Sequence, residues 1–575
     1  MRVSNAGGRR LSFCTFARFY LVVRKALFSA CSFALVLASA LLPAAGPATA
    51  AAVPIRAEAG LRAYFVLTAP KQTAAVTSAI TGNGGTVYAT YDAIGVVVVH
   101  SQTPDFAAKL RGVSGVQKVG ATRTSDVPAA AAGPAVPVAP PVTPDESPEI
   151  PRPDMQQIGA DQAWAVNPGS KSITVGVLDT GVDDQHPDLK PNFDAARSAS
   201  CAYGKIDTRP GAWRPVGEHG THVAGSIAAA KDGKGMVGVA PGVRISSIRV
   251  AEAGSQLFFP ENTVCAFVFA ADKGVSVTNN SYYTDPWLFT CPSDPDQDAI
   301  AEAVRRSVAY ADSKGVVNVA AAGNENYNLA AKTSDNTSPN DSTPGERTIG
   351  NDCLSLPTEL PNMVVVASVN GSSVKSSFSN YGTGKITVAA PGEDVYSTVP
   401  GGGYQSLDGT SMAAPHVAGV AALLRSANPK LTPAQVRDRL SAQANDLTCP
   451  AASGGECTGS DQNNSFYGEG LVDAAEAVGA ATKTPTSGVT ITKPPNQLGI
   501  GGLPAVPLLI KGLSSKGEIS YTATGLPPGL SIDPERGWIT GVLTPGAGRY
   551  KVTVRAQDAD ARDATTTFFW SVWSF

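Results

Sequence analysis

Residues 154–480 are predicted to form an α/β domain in which a parallel sheet carries helices on both faces. Continuous apolar runs with the length of buried strands occur at 173–178, 316–322 and 363–367. Runs with helical spacing occur at 223–230, 299–313, 413–426 and 433–444. This alternation is typical of parallel sheets, because helices connect strands that run in the same direction. Such sheets bind substrates at the carboxyl ends of their strands, so the functional residues are expected at that edge.

The length and charge of the chain limit the classes of protein to which it can belong. With 575 residues it is too long for one ordinary domain. The formal net charge is −3, and no cluster of basic residues follows any predicted element. Nucleic acid is therefore not an expected partner.

The first 50 residues have the pattern of an export signal. Arg24 and Lys25 precede an almost wholly apolar run, 26–42, and small residues follow at 48–50. The run is nearly long enough to span a bilayer, so a membrane anchor is the alternative. The small-residue cleavage pattern favours removal of the segment. It predicts a secreted protein with no stable membrane insertion once the signal is gone.

Two further domains and two linkers are predicted around the central domain. Residues 51–126 alternate short strands and helices and should form a small α+β domain. Residues 127–153 are rich in alanine, proline and valine and cannot bury a core, so we expect an extended, exposed linker. A second linker, 481–488, leads to 489–575, where alternating stretches and Gly/Pro turns predict a small all-β sandwich.

The C-terminal sandwich contains three tryptophans, Trp538, Trp570 and Trp573. We expect them to pack in its core. The alternative is an exposed aromatic patch that binds cell wall or another polymer surface. The segment 524–532 resembles bacterial Ig-like modules attached to exported proteins. Because no catalytic motif occurs there, the module should be dispensable for chemistry.

Six cysteines lie beyond the predicted signal: Cys201, Cys265, Cys291, Cys353, Cys449 and Cys457. An even number in an exported chain predicts disulfides, although six cysteines allow many pairings. Cys449 and Cys457 are close together among small residues, which favours a local loop closed by a bond between them. No Cys-x-x-Cys pair occurs, which argues against a zinc site.

Three short motifs stand where the carboxyl edge of the sheet is expected. Asp179 ends an apolar strand and precedes Thr-Gly-Val-Asp, and His219 opens the sequence His-Gly-Thr-His-Val-Ala-Gly. Ser411 follows a Gly-Thr turn at the start of an apolar helical run, where unpaired N–H groups and the helix dipole favour negative charge. A serine there is often only a helix cap, so the other motifs decide. The three motifs in this order resemble those of the subtilase family of serine proteases, across about 156–480.

The resemblance implies a role for each residue. Ser411 would be the nucleophile, His219 the base that takes its proton, and Asp179 the group that orients the imidazole. The run Ala320-Ala321-Ala322-Gly323-Asn324 matches the family's oxyanion-hole motif. Asn324 would therefore donate its side-chain amide to the oxyanion, beside the backbone N–H of Ser411.

The predicted substrate groove is where the chain departs from the family. Thr278-Asn279-Asn280-Ser281-Tyr282-Tyr283 stands in place of the usual Asn-x-Ser-Leu-Gly strand, which pairs with the substrate backbone in relatives. The candidate substrate-binding residues are Asn279, Ser281, Tyr282, Tyr283 and Gly323. The two tyrosines should reshape the pockets, so the substrate preference of relatives does not transfer.

The resemblance also concerns metals and maturation. Structural calcium is typical of the family, but no set of ligands matches residue by residue, and the chemistry requires no cofactor. The order of strands and helices in 51–126 resembles the ferredoxin-like prodomains of subtilases. Such a prodomain would act as the enzyme's own inhibitor, with its last strand approaching the active site as a poorly cleaved substrate.

The sequence is interpreted as that of a secreted serine endopeptidase that hydrolyses proteins or peptides and is made as a self-processed precursor. Its fold would be a subtilisin-like parallel sheet with helices on both faces, preceded by an α+β ferredoxin-like prodomain and followed by a small all-β sandwich. The alternative is a catalytically degenerate, exported binding protein that uses the protease fold as a scaffold. The complete set of Asp179, His219, Asn324 and Ser411 argues against that alternative.

Overall fold

A computed structural model describes residues 60–142, 149, 152–451, 456–480, 489–491, 493–494, 496–510, 512–514, 519–558 and 563–574. The predicted export signal and the predicted linker 481–488 lie outside the described residues. Within the described part of the chain, no helix is both long enough and apolar enough to cross a membrane.

The N-terminal domain is a four-stranded antiparallel sheet with two α-helices. Its strands are Arg62–Leu67 (β1), Gly85–Tyr91 (β2), Val96–Ser101 (β3) and Lys118–Ala121 (β4). Its helices are Thr77–Gly82 (α1) and Phe106–Leu110 (α2). The strands lie in the order β2-β3-β1-β4 and alternate with the helices as in a ferredoxin-like domain.

Both faces of this sheet are buried, which explains the run of valines in β3. Successive residues of a strand point to opposite faces. Val97 and Val99 pack with Phe106 in the domain's own core. Val96 and Val98 instead belong to the core of the central domain. The N-terminal sheet is thus packed onto the central domain.

Helix and strand contacts fix this packing. The central domain's Arg306 donates from Nη1 to the Thr68 carbonyl over 2.7 Å, and Lys118 pairs with Asp298 at 2.6 Å. Gly120 of β4 lies so close to the helix containing Asp296 that an added Cβ would stand 2.5 Å from the Asp296 Cα. Only glycine therefore fits at that position of the interface.

The central domain contains thirteen strands and eight α-helices among the described residues. The strands are Thr174–Asp179 (β5), Ala199–Ser200 (β6), Arg244–Arg249 (β7), Val277–Asn280 (β8), Val317–Ala321 (β9), Ser334–Asp335 (β10), Arg347–Thr348 (β11), Met363–Val369 (β12), Val388–Pro391 (β13), Val395–Val399 (β14), Gly403–Leu407 (β15), Gly459–Ser460 (β16) and Asn463–Asn464 (β17). The helices are Pro153–Gln157 (α3), Ala160–Val166 (α4), His219–Ala228 (α5), Pro260–Asp272 (α6), Pro295–Ser313 (α7), Thr410–Ala427 (α8), Pro433–Ala442 (α9) and Ala474–Ala477 (α10).

Seven of these strands form one parallel sheet in the order β13-β12-β9-β8-β5-β7-β6. The predicted parallel sheet is confirmed. Every residue of β5, β8 and β9 is buried, as expected for strands covered on both faces.

The segment between the N-terminal and central domains differs from the prediction. Val127 and Ala131 are buried in a small apolar cluster with Tyr203 of the central domain. Arg209 donates to the Pro134 carbonyl over 2.8 Å. The expectation of an exposed linker therefore fails at Val127 and Ala131, which pack against the central domain, whereas most residues of 128–142 are exposed.

The C-terminal region is all-β, as predicted. Its strands are Val489–Ile491 (β18), Gln497–Ile500 (β19), Leu508–Leu509 (β20), Gly512–Ser514 (β21), Ile519–Thr524 (β22), Leu530–Ile532 (β23), Trp538–Gly541 (β24), Gly548–Asp558 (β25) and Asp563–Trp573 (β26). Trp570 is buried in the core of this region, whereas Trp538 is 39% and Trp573 62% exposed. Of the three tryptophans predicted to lie in the core, only Trp570 does. Trp573 lies three residues further along the same strand, and its side chain is therefore on the opposite face.

Three disulfides cross-link the central domain: Cys201–Cys265, Cys291–Cys353 and Cys449–Cys457. The predicted local bond between Cys449 and Cys457 is confirmed. The other two join residues 64 and 62 positions apart. Closing long loops restricts the unfolded chain more than closing short ones, so these two bonds should contribute most to stability.

Candidate active site

Three neighbouring strands of the sheet end at one place. In the order β9-β8-β5 the strands are adjacent and parallel, so their carboxyl ends form one edge. β5 ends at Asp179, β8 leads directly into Ser281, and β9 ends two residues before Gly323. Residues predicted from separate motifs are thereby brought to the same edge.

Asp179 is fully buried and holds the imidazole of His219. Its carboxylate oxygens lie 2.8 and 3.0 Å from Nδ1 of His219. The backbone N–H of Thr180 donates to the same carboxylate over 2.7 Å. A carboxylate can only accept hydrogen bonds, so Nδ1 carries the proton and Nε2 is free to take another.

Gly220 permits the close approach of α5 to the end of β5. A Cβ on Gly220 would lie 2.4 Å from the Gly181 carbonyl oxygen and 3.1 Å from the Asp179 Cβ. The backbone N–H of Gly220 donates to Thr180 Oγ1 over 2.9 Å. The absence of a side chain at Gly220 therefore lets the first turn of the helix set His219 against Asp179.

Asp179 also determines the basicity of His219. Burial of the imidazole lowers its pKa, but the charge and hydrogen bond of Asp179, with a smaller contribution from Glu218, outweigh burial. The pKa of His219 is therefore raised above its ordinary value of 6.5. For His222, burial lowers the pKa to about 4, and its Nε2 lies 3.1 Å from the Gln405 carbonyl. His222 is thus a neutral packing residue of α5.

Ser411 is the second residue of α8, and it is exceptional in that helix. From Thr410 to Leu424, every residue except Ser411 is buried. A helix that is apolar all round belongs to the core. One serine at its N-terminus is left facing the cleft, where the first N–H groups of the helix have no partner within it.

The Ser411 hydroxyl is not hydrogen-bonded to His219 in this structure. It donates instead to the Ser281 carbonyl over 3.2 Å, and the Ser281 hydroxyl donates to the Ser411 carbonyl over 3.0 Å. In enzymes, the hydrogen bond between a nucleophile and its base is often long or misaligned without substrate and tightens when substrate binds. His219 and Ser411 line the same cleft.

Asn324 is fixed through its side-chain oxygen. Oδ1 accepts hydrogen bonds from the backbone N–H of Thr410 over 2.9 Å and from its hydroxyl over 2.8 Å. Because the oxygen is held by Thr410, the Nδ2 group has its two N–H donors left for the cleft. Thr410 directly precedes Ser411, so the amide of Asn324 and the backbone N–H of Ser411 are neighbours.

The cleft has a volume of about 380 Å³. Its lining includes four of the predicted substrate-binding residues, namely Ser281, Tyr282, Tyr283 and Gly323. All residues that line it belong to the central domain. The segment after β4 reaches only the rim, where the N–H groups of Thr124 and Ser125 donate to Asp341 over 2.9 Å each.

Asn279 does not contact the cleft. It is fully buried, and its amide donates to the Ser281 hydroxyl over 2.8 Å. The prediction that Asn279 binds substrate therefore needs correction: in a fully buried strand its side chain lies below the surface. Its contribution is to hold Ser281, which itself bonds to Ser411.

The two unusual tyrosines are packed by residues that the sequence did not single out. Tyr282 stacks on Phe258, with ring centroids 4.6 Å apart, and the Tyr283 hydroxyl accepts from Asn340 over 2.8 Å. Asn340 also donates to Asp285 over 2.6 Å. Burial raises the pKa of Asp285 to about 6, although hydrogen bonds from Phe258 and Asn340 oppose it. The spacing of these residues in the sequence gave no signal that they meet.

The expected calcium has no assigned ligands. Among the described residues, no group of three or more His, Cys, Asp or Glu side chains is arranged to hold a metal ion. Calcium therefore stays a prediction.

Two family models match the chain. Residues 170–470 match the subtilase family of peptidases, and residues 480–573 match an Ig-domain family. Subtilisin DY of Bacillus licheniformis is 33% identical over 320 residues, which cover 56% of this chain and 96% of that protein. Subtilisin E of Bacillus subtilis (strain 168) is 33% identical over 307 residues, covering 53% of this chain and 65% of that protein.

A solved structure shares the fold. An epidermin leader peptide processing serine protease from Staphylococcus aureus superposes with a TM-score of 0.58 at 21% identity, covering 74% of this chain and 100% of the other. At this identity the likeness concerns the fold alone. The subtilase model, however, matches more than half of the chain, and the chain therefore belongs to the subtilase family.

Proposed function

We propose that this chain is a secreted serine endopeptidase, made as a precursor that removes its own N-terminal domain. One observation supports the proposal above all others. The buried Asp179 orients His219 in a cleft that also contains the Ser411 hydroxyl and the Asn324 amide. A scaffold that only binds would have no need of this combination.

The proposed reaction begins with proton transfer from Ser411 to His219. Nε2 of His219 takes the hydroxyl proton as Ser411 Oγ attacks the carbonyl carbon of the peptide bond. Asp179 stabilises the resulting imidazolium, which then protonates the leaving amine. The acyl group remains on Ser411 as an ester, and water activated by His219 releases it by the same steps in reverse order.

The tetrahedral intermediate has a negatively charged oxygen that needs donors. The Asn324 Nδ2 group and the Ser411 backbone N–H are the two neighbouring donors that the fold offers. The positive end of the α8 dipole adds to their effect.

The proposal is tested by labelling with an organophosphonate that reacts with activated serines. Only a serine beside a working base reacts, so Ser411 should take one equivalent of label on a peptide that mass spectrometry assigns to α8. Ser411→Ala should take none. A folded wild-type protein that resists the reagent would favour the alternative, a degenerate protease fold that serves as a binding scaffold.

Replacing Asn324 with alanine should lower kcat by about 10²–10³, the range measured for the corresponding donor of subtilisin itself. KM should change little, because the amide acts on the transition state and not on the bound substrate. Steady-state kinetics on a small peptide measures both constants. Asn328→Ala, a loop asparagine of the same domain outside the cleft lining, is the matched control, and full activity of Asn324→Ala would contradict the role.

The N-terminal and C-terminal domains extend the proposal. The packing of the N-terminal sheet onto the central domain, with the segment after β4 at the rim of the cleft, supports a folding aid and inhibitor that is later removed. In the C-terminal domain, exposed Leu498, Trp538 and Trp573 support attachment to a cell-wall or polymer surface. Both roles are predictions that accompany the proteolytic function.

A further inference from the structure

Arg123 of the N-terminal domain is inserted into the central domain. It follows β4 and is only 2% exposed. Its Nη2 and Nη1 donate to the two oxygens of Glu252 over 2.6 and 3.2 Å, and its Nε donates to Glu261 over 3.0 Å. The Phe259 ring centroid lies 3.6 Å from the guanidinium carbon. A bidentate hydrogen bond to a carboxylate, combined with stacking on an aromatic ring, suits the planar guanidinium of arginine and not the compact ammonium of lysine.

The residues that hold Arg123 all belong to the central domain, and we call Glu252, Phe259 and Glu261 the guanidinium pocket. Both glutamates are at least 98% buried. Among the described residues, Glu261 Oε2 and the adjacent Asn262 Oδ1 are buried without a hydrogen-bond partner. Burial raises the pKa of Glu252, while Arg123 opposes that rise. The pocket thus places two buried carboxylates around one guanidinium, which pairs with both of them.

The guanidinium pocket adjoins the cleft through one short loop. The Glu252 N–H donates to the Leu257 carbonyl over 3.1 Å, and the Gln256 N–H donates to the Glu252 carbonyl over 2.9 Å. These bonds close the loop 252–257, whose far end lines the cleft through Gln256 and Leu257. Glu252 of the pocket and two residues of the cleft wall, Gln256 and Leu257, are therefore parts of one loop.

The chain after Arg123 leads from the pocket to the rim of the cleft. The N–H groups of Thr124 and Ser125 donate to Asp341, and the preceding Asn340 lines the cleft. Residues 123–125 therefore trace a path along which an extended peptide can reach both the pocket and the cleft.

We propose that the guanidinium pocket is a binding site for an arginine side chain of the substrate, and that Arg123 occupies it in the precursor. This inference rests on the proposed function, since the pocket opens only after the N-terminal domain has left. Departure of Arg123 removes the guanidinium that forms hydrogen bonds with both Glu252 and Glu261. An arginine upstream of the bond to be cleaved restores the pairing.

The pocket can be tested without catalysis, in the full chain. Ser411→Ala prevents self-cleavage, Arg123→Ala empties the pocket, and ethylguanidinium is the probe. The temperature of thermal unfolding should fall with Arg123→Ala and rise again, saturably, at millimolar ethylguanidinium, with a smaller rise for ethylammonium. In the variant that also carries Glu252→Gln and Glu261→Gln the rise should vanish. An equal rise in unfolding temperature with ethylguanidinium in both variants would refute binding of the guanidinium in this pocket.

Arg123→Lys provides a second variant that keeps the charge. It should unfold at a lower temperature than the Ser411→Ala parent, because an ammonium cannot form the forked contact. If Arg123→Ala does not fold, an Arg123→Lys protein as stable as the parent would by itself refute selectivity for guanidinium.

The role in substrate binding is tested on the processed enzyme with pairs of peptides. Each pair carries arginine or its neutral isostere citrulline at one position N-terminal to the scissile bond. At the position whose side chain reaches the pocket, kcat/KM should be at least about tenfold higher for the arginine peptide than for the citrulline peptide. Glu252→Gln should abolish this preference. The control Glu346→Gln removes an exposed carboxylate and should retain it. Equal rates for arginine and citrulline at every position would overturn the role in substrate binding. If no peptide is hydrolysed, the proposed function is contradicted, and the thermal unfolding experiment alone tests whether the pocket binds guanidinium.

Discussion

Replacing Ser411 with alanine should abolish peptide hydrolysis and leave the N-terminal domain covalently attached. The expected loss in kcat is about 10⁶, the size measured for the nucleophile of subtilisin itself. The physical reason is that His219 and Asp179 can only take and stabilise a proton, and the oxyanion donors can only stabilise charge. Without the Ser411 oxygen no acyl-enzyme forms, so the two-step reaction has no first step.

The measurement has two parts. Hydrolysis of a small peptide gives the rate, and the mass of the secreted protein, from a host without other exported proteases, shows whether the N-terminal domain remains. Ser426 lies in the same helix but does not line the cleft, so the control variant Ser426→Ala should be processed normally. A fully processed Ser411→Ala protein would refute self-processing, although not the proteolytic chemistry.

The candidate site residues could be located in the fold from the sequence because each lies in a short pattern with a local cause. Asp179 stands where an apolar strand ends, and Ser411 where an apolar helix begins. Periodicity reveals both kinds of boundary within a few residues. The fold adds the order β9-β8-β5, which no local pattern contains, and this order brings Asp179 and Asn324 to one edge of the sheet.

Other contacts could not be predicted from the sequence, because they join residues that are far apart in it. Arg123 meets Glu252 and Glu261 across more than 120 positions, and nothing near any of the three identifies its partner. Asn279 was assigned to the groove because its segment stands where relatives have the groove strand, but here its side chain is fully buried and bonds to the Ser281 hydroxyl. Small apolar side chains such as Ala131 pack wherever a neighbouring surface fits, so composition could not single out the buried apolar positions of the predicted linker.

Neutralising the buried carboxylate, Asp179→Asn, should lower kcat by about 10⁴ at neutral pH while the fold is retained. Serine proteases show a loss of this size when the corresponding aspartate becomes an amide. The Asp179 carboxylate accepts from Nδ1 of His219 and from the Thr180 N–H. An asparagine can turn an N–H₂ group toward Nδ1, which favours the tautomer with the proton on Nε2 and removes the base from Ser411.

The same variant should move the pH profile in a direction that the structure fixes. His219 acts as a base only when neutral, so activity is lost as the pH falls through its pKa, which lies above 6.5 in the wild type. The acid limb of kcat/KM should therefore have its midpoint above pH 6.5 and shift to lower pH in Asp179→Asn, because the charge that raised the pKa is gone. Glu218→Gln, which removes a smaller contribution, should shift the limb slightly and keep most of the rate. If Asp179→Asn kept both its rate and its acid limb, Asp179 would neither orient nor charge-stabilise His219, and the assignment of the base would have to be abandoned.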